Sequence, residues 1–155
     1  MKFLSKEDIE APISRVFEAI ADFEHLERAA VRRGLEVERT GDIAAPDAGL
    51  AWDLRFQLRG KPRDIRLVLK EYEPVTGLAL TGSGSGVEGT MQVALTALSP
   101  RSTRMAVELK LSASTLPGRL MLQSLKLARG KLESRFKQRL SDYAKLTEER
   151  LNRTV

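Results

Sequence analysis

Thr81–Thr90 reads TGSGSGVEGT, and within it Gly84, Gly86 and Gly89 stand at the G-x-G-x-x-G spacing. Glycines so spaced let a backbone close on a pyrophosphate, provided that a helix begins there and turns its N–H groups on the phosphate. The next segment, Thr90–Leu98, alternates apolar and polar residues at period two and reads as a strand. A Walker-type loop needs Gly-Lys-Ser/Thr, which is absent. A kinase glycine loop does lie between two strands, but no V-A-I-K lysine, H-R-D or D-F-G accompanies this one. The stretch is expected to be a hairpin end with a bulge, with no affinity for NAD, FAD or ATP.

Other chemistry is sparse. There is no cysteine, which removes disulfides, thiolate nucleophiles and Cys-based metal sites together. The single histidine, His25, has no evident Asp or Cys partner and reads as a surface residue. Neither a metal nor a cofactor is expected. The net charge of +5 is uneven: residues 115–155 hold 10 basic and 4 acidic side chains, whereas residues 1–47 hold 7 and 11. Arg119, Lys126, Arg129, Lys131, Arg135, Lys137 and Arg139 are balanced in that span by Glu133 alone. Such a face reads first as solvated, with at most weak, salt-sensitive contact with an anionic surface. No exposed strand carries an aromatic-basic pattern, so nucleic acid is not an expected partner.

The elements that must position any site follow from periodicity. The 155 residues, 42% hydrophobic and 30% charged, suit one domain over 1–155. No apolar run is long enough to span a bilayer, and MKFLSKEDIE turns acidic too soon for a signal peptide, so a cytoplasmic protein is expected. Lys2–Glu10 reads as a strand. A helix opening at Pro12 places Ile13, Val16, Phe17 and Ile20 on one face, and Asp22 can cap a second short helix running to about Val31. Leu35–Thr40 reads as a strand and Gly41–Gly49 as a loop. Leu50–Leu58 alternates most cleanly, and further alternating strands follow around Ile65–Leu69, Leu78–Leu80, Met91–Leu95 and Met105–Leu111. Turns fall at Arg59–Pro62, at EPVTG and at SPRST. From about Pro117 to Leu151 the period changes, and Leu125, Ala128, Leu132, Phe136, Leu140 and Tyr143 form the stripe of one long amphipathic helix, with Gly130 a mild weak point.

Four stretches carry a resemblance: IEAPISRVFEAIADFEHL, KEYEPVTGLALTGSG, SPRSTRMAVELKL and LPGRLMLQSLKLARGKLESRFKQRLSDYAKLTE. Together they cover most of the chain, which resembles the START/Bet v 1-like (SRPBCC) superfamily in its polyketide cyclase-like or CoxG-like branch. The resemblance implies an α+β helix-grip fold, with a curved antiparallel sheet wrapped around a long C-terminal helix and two short helices after the first strand. It also implies a cavity between sheet and helix. Members bind lipids, sterols, polyketides or quinones, and some cyclise or dehydrate substrates or act as adaptors.

The apolar face of the strands should meet the helix stripe, since both need burial. On that reading the ligand-binding wall comprises Trp52, Leu54 and Phe56, then Leu67, Leu69 and Leu80, then Met91 and Val93, then Met105, Val107 and Leu109. The helix adds Leu125, Leu132 and Phe136. Arg55, Arg66, Asp53 and Lys70 take the outward parity, and no Asp, Arg, His or Tyr is found on the central strands at inward parity. The expectation is therefore an apolar or amphipathic small molecule bound without catalysis, by a monomer or homodimer. A cyclase or dehydratase would need a group at the cavity mouth, with Glu71, Arg119 or Tyr143 as candidates. The third reading is an adaptor or membrane-surface protein using the basic helix, without integral membrane association.

Overall fold

Strand β1 (Lys2–Ile9) is followed by helices α1 (Ile13–Ile20) and α2 (Phe23–Arg32). Strands β2 (Glu36–Thr40), β3 (Ala51–Leu58), β4 (Lys61–Glu73), β5 (Gly77–Gly84), β6 (Val87–Ser99) and β7 (Ser102–Ala113) come next, and helices α3 (Leu116–Leu127) and α4 (Arg129–Asn152) close the chain. The structure, a computed structural model, describes residues 1–58 and 60–153. Arg59, in the expected Arg59–Pro62 turn, lies outside the described residues, and Lys61 and Pro62 already belong to β4. The strands form one antiparallel sheet in the order β1-β7-β6-β5-β4-β3-β2. This is the helix-grip architecture that the sequence resemblance implies. Among the described residues, no helix is long and apolar enough to cross a membrane.

Local sequence explains the helix starts. Pro12, at φ −61°, stands at the N-terminal boundary of α1, which buries Val16, Phe17, Ala19 and Ile20. The Asp22 carboxylate accepts the His25 backbone N–H at 3.2 Å and caps α2. The Thr115 hydroxyl oxygen accepts the Gly118 N–H at 3.1 Å and caps α3, with Pro117 in its first turn. The core lies where the sheet meets α1, α2 and the last turns of α4: Ile9, Leu69 and Met105 are fully buried there, with Phe17, Phe23, Ala144 and Leu151 around them.

Two features depart from the sequence reading. The C-terminal stripe does not sit on one helix. The chain breaks at Ala128 (φ −102°, ψ 17°), so α3 packs on β6 and β7 while α4 packs chiefly on β1. Ala128, placed in the stripe, is exposed at the break, and Gly130 lies inside α4 with open space around it. A second departure is on β4. Leu69 pairs with Leu80 and Glu71 with Ala79, so Lys70 is an extra residue and the strand's parity flips there. Tyr72 therefore turns inward, with its ring 5.5 Å from Phe17 and 6.4 Å from Phe23, and Glu71 turns out to solvent.

Candidate ligand cavity

Alternation delivers one apolar face from each strand, and between that face and α3 lies a cavity of about 360 Å³. This volume falls within the roughly 300–1,000 Å³ range of small-molecule sites. Phe56 and Leu58 of β3, Ile65 and Leu67 of β4, Leu80 of β5, Met91 of β6, Leu109 and Leu111 of β7 and Met121 of α3 form its walls. Those walls are apolar almost throughout.

The glycine stretch accounts for the position of this space. Gly82, Gly84 and Gly89 all line it, at inward-parity positions where neighbouring strand positions carry Leu80 or Met91. A Cβ on Gly82 would meet Leu67 Cδ2 at 3.0 Å, and one on Gly89 would meet Leu111 Cδ2 at 3.0 Å. The glycines thus let two leucines lean across the sheet.

The tip of this segment is a two-residue hairpin. Ser85 (φ 54°) and Gly86 (φ 76°) both take positive φ, as a type I′ turn requires, between the paired residues Gly84 and Val87. The hairpin is as expected, but the bulge is not: β5 and β6 stay in register to the turn, and the bulge of this region is at Lys70. The hairpin tip docks on the start of α3. The Ser114 N–H donates to the Gly86 carbonyl at 2.9 Å, and a Cβ on Gly118 would strike that same carbonyl. The backbone approach that the glycines permit is made to the protein's own helix.

A smaller apolar space of about 110 Å³ opens under α2, between Phe23, Leu26, Ala30, Trp52 and Leu54, and shares Leu67 and Leu80 with the main cavity. Trp52 is buried there. It faces α2 and not the C-terminal helix: its ring lies 5.3 Å from Phe23, and its Nε1–H donates to Glu27 Oε2 at 2.8 Å. Arg39 of β2 pairs with the other oxygen of Glu27 at 2.8 Å, so one carboxylate ties α2 to two strands.

Of the wall read from the sequence, Phe56, Leu67, Leu80, Met91 and Leu109 line the main cavity, and Trp52 and Leu54 line the smaller one. Leu69, Val93, Met105 and Val107 stand in the packed core instead. Leu125, Leu132 and Phe136 are half-buried on the two helices and line neither space, with Phe136 set against Phe3 at 5.8 Å.

The reading of the inward face as free of charge is corrected by Arg63. It shares parity with Ile65 and Leu67, lines the main cavity, and has a buried Nε without a hydrogen-bond partner. Taking the strand to begin near Ile65 hid it, since β4 begins at Lys61. The outward charges are placed as expected: Arg66 pairs with Asp53 at 2.8 Å, and Arg55 with Asp64 at 2.8 Å.

None of the three candidates for mouth chemistry lines the cavity. Glu71 and Arg119 are exposed. Tyr143 is packed against the core, and its phenol is pushed above the usual tyrosine value, first by burial, with a hydrogen bond to Thr147 acting the other way.

Helix α3 also differs from expectation in having a second apolar face. Met121, Leu122 and Leu125 turn inward, whereas Leu116, Leu120 and Leu127 are 69%, 60% and 92% exposed. At 3.6 residues per turn these three leucines fall within an arc of about 40°.

No family model matches the chain, and no curated protein does. Solved structures do match. The Zhui aromatase/cyclase from Streptomyces sp. R1128 superposes with a TM-score of 0.67 at 15% identity, covering 97% of this chain and 95% of that one. Norcoclaurine synthase from Thalictrum flavum gives 0.70 at 10% identity, over 97% and 86%. The Thermus thermophilus protein TTHA0849 gives 0.67 at 15% identity, over 99% of both chains. At such identities the likeness is one of fold.

Proposed function

We propose that this chain binds an amphipathic small molecule, of the lipid, polyketide or quinone kind, in the cavity between its sheet and α3, without chemical conversion. The observation that carries the reading is an apolar space of about 360 Å³ at the place where the inward face turns to glycine. A sheet and helix selected only for packing would close such a space with the surrounding side chains, because voids lose contacts on every wall. The shared fold with an aromatase/cyclase and norcoclaurine synthase supports a ligand cavity. Catalysis is disfavoured by the absence of Glu71, Arg119 and Tyr143 from the walls. Native mass spectrometry of the purified protein, followed by a calorimetric screen of fatty acids, alkanols, polycyclic phenols and quinones, tests the reading. Met121→Trp, which fills the space from α3, is expected to lower affinity at least tenfold while leaving the fold intact. Equal affinity in Met121→Trp would place the ligand elsewhere.

A second reading has its own observation. The exposed face of Leu116, Leu120 and Leu127 is flanked by Arg119 and Lys126, and neither cation has an ion pair among the described residues. Apolar side chains bordered by cations suit the surface of an anionic bilayer. Such contact would set α3, the cavity's roof, against lipid, on a cytoplasmic face. Cosedimentation with mixed phosphatidylcholine–phosphatidylglycerol vesicles checks this. Leu120→Ser should weaken adsorption, and salt should weaken it further. Adsorption equal on purely zwitterionic vesicles would exclude the electrostatic part.

A further inference from the structure

We infer that the cavity takes a ligand with a single anionic oxygen head, a carboxylate, and that Arg63 is the residue that holds it. This rests on the reading of the cavity as a ligand site and adds the ligand's charge and polarity.

Arg63 projects from β4 at inward parity and lines the space together with Phe56, Ile65, Leu67, Leu80 and Met91, with Asp64 bordering it as well. Its Nε is buried without a hydrogen-bond partner, the one such side-chain atom among the described residues. No ion pair or hydrogen bond of Arg63 is found among the described residues. The nearest carboxylate in sequence, that of Asp64, is engaged on the other face by Arg55 at 2.8 and 3.4 Å.

A guanidinium carries a delocalised positive charge and presents five N–H donors in a planar fork. Arg63 is half-buried as a whole, and it is its Nε that is out of reach of water without a partner; leaving such a donor unpaired is unfavourable. At the outer positions of the same strand pair, Arg55 and Arg66 have each found a carboxylate, whereas the Nε of Arg63, on the cavity side, has no partner. A planar carboxylate matches the fork with two parallel hydrogen bonds, and the low polarity of the walls strengthens both. The body of the ligand would then run away from Arg63 along the leucines and methionines, where nothing charged competes for it.

The test compares decanoate with decanol by calorimetry near pH 8, where the acid is ionised, on the unaltered protein and on Arg63→Gln. Decanoate is expected to bind at least tenfold more tightly than decanol to the unaltered protein. Arg63→Gln should abolish that preference, with decanoate losing far more affinity than decanol. The thermal midpoint of Arg63→Gln should equal or exceed that of the parent, since a buried donor without a partner is removed. If both probes bind the unaltered protein equally, the cavity reading stands and the anion inference falls. If neither binds, the anion inference falls, and the wider screen of phenols and quinones decides the cavity reading separately. Should Arg63→Gln fail to fold, the comparison on the unaltered protein still decides. A preference for decanoate that survives in Arg63→Gln would assign the head group to another residue and overturn the inference.

Discussion

Tyr143 shows how one side chain can be informative without lying at the site. It lies among the residues packed on the core, and burial holds its phenol in the neutral form. A tyrosine whose folded value is raised contributes stability that is complete below its unfolded value, about 10, and is lost as pH rises through the folded value. Tyr143→Phe is therefore expected to lose less stability than the parent between about pH 9 and about pH 11, read by urea unfolding at each pH. Equal alkaline losses would mean that the phenol reaches water in the folded state. Residues of this kind were partly legible in the sequence. Trp52 could be placed on an apolar face, but its partners Phe23 and Glu27 come from a helix that periodicity does not orient relative to the sheet. Tyr72 was hidden because the extra residue at Lys70 reverses parity, and a bulge leaves no mark in an alternating pattern. Arg63 could have been found by extending the alternation of Ile65 and Leu67 back by one step.

At the scale of elements, strands and turns followed directly from alternation, and the two short helices from Pro12 and Asp22. The break at Ala128 did not, because an apolar stripe keeps its spacing across a single non-helical residue. What sets α3 apart is its dock against the β5–β6 hairpin, and that dock depends on two missing side chains. Gly118→Ala should force the hairpin off the helix and destabilise the fold by about 1–3 kcal/mol, the usual cost of overpacking. Gly130→Ala, with nothing within 4 Å of the added methyl group, should instead stabilise by about 0.5–1 kcal/mol through helix propensity. Thermal unfolding of the pair reads both signs. If the two substitutions move stability the same way, the hairpin does not clamp α3. The glycine motif thus had its spacing read correctly as a hairpin. Its role as a spacer that opens the cavity and seats a helix could not be seen, because it depends on which strands lie beside it.

At the scale of the molecule, a sheet closed on neither side leaves two outer strands, and the chain treats them differently. At the two ends of β1, α4 supplies partners for the backbone: Arg129 Nη2 donates to the Lys2 carbonyl at 2.9 Å, and just past the strand Glu148 Oε1 accepts the Glu10 N–H at 2.6 Å and Asn152 Nδ2 donates to the Glu10 carbonyl at 3.2 Å. Among the described residues no helix side chain bonds the backbone of β2. That strand is only five residues long, with Glu36, Glu38 and Arg39 exposed. A bare row of peptide groups is a template on which another chain can add a strand, and brevity and charge are the usual guards against it. Paired glutamates on β2 would bring like charges together in a strand added antiparallel from a second copy. Glu36→Val with Glu38→Val should therefore leave the fold intact and yet make concentrated solutions scatter light on standing, with thioflavin-positive material if the added strands propagate. A clear solution of that variant would mean that the shortness of β2 suffices. Resistance to fibril growth, on this view, depends on two carboxylates that touch neither ligand nor core.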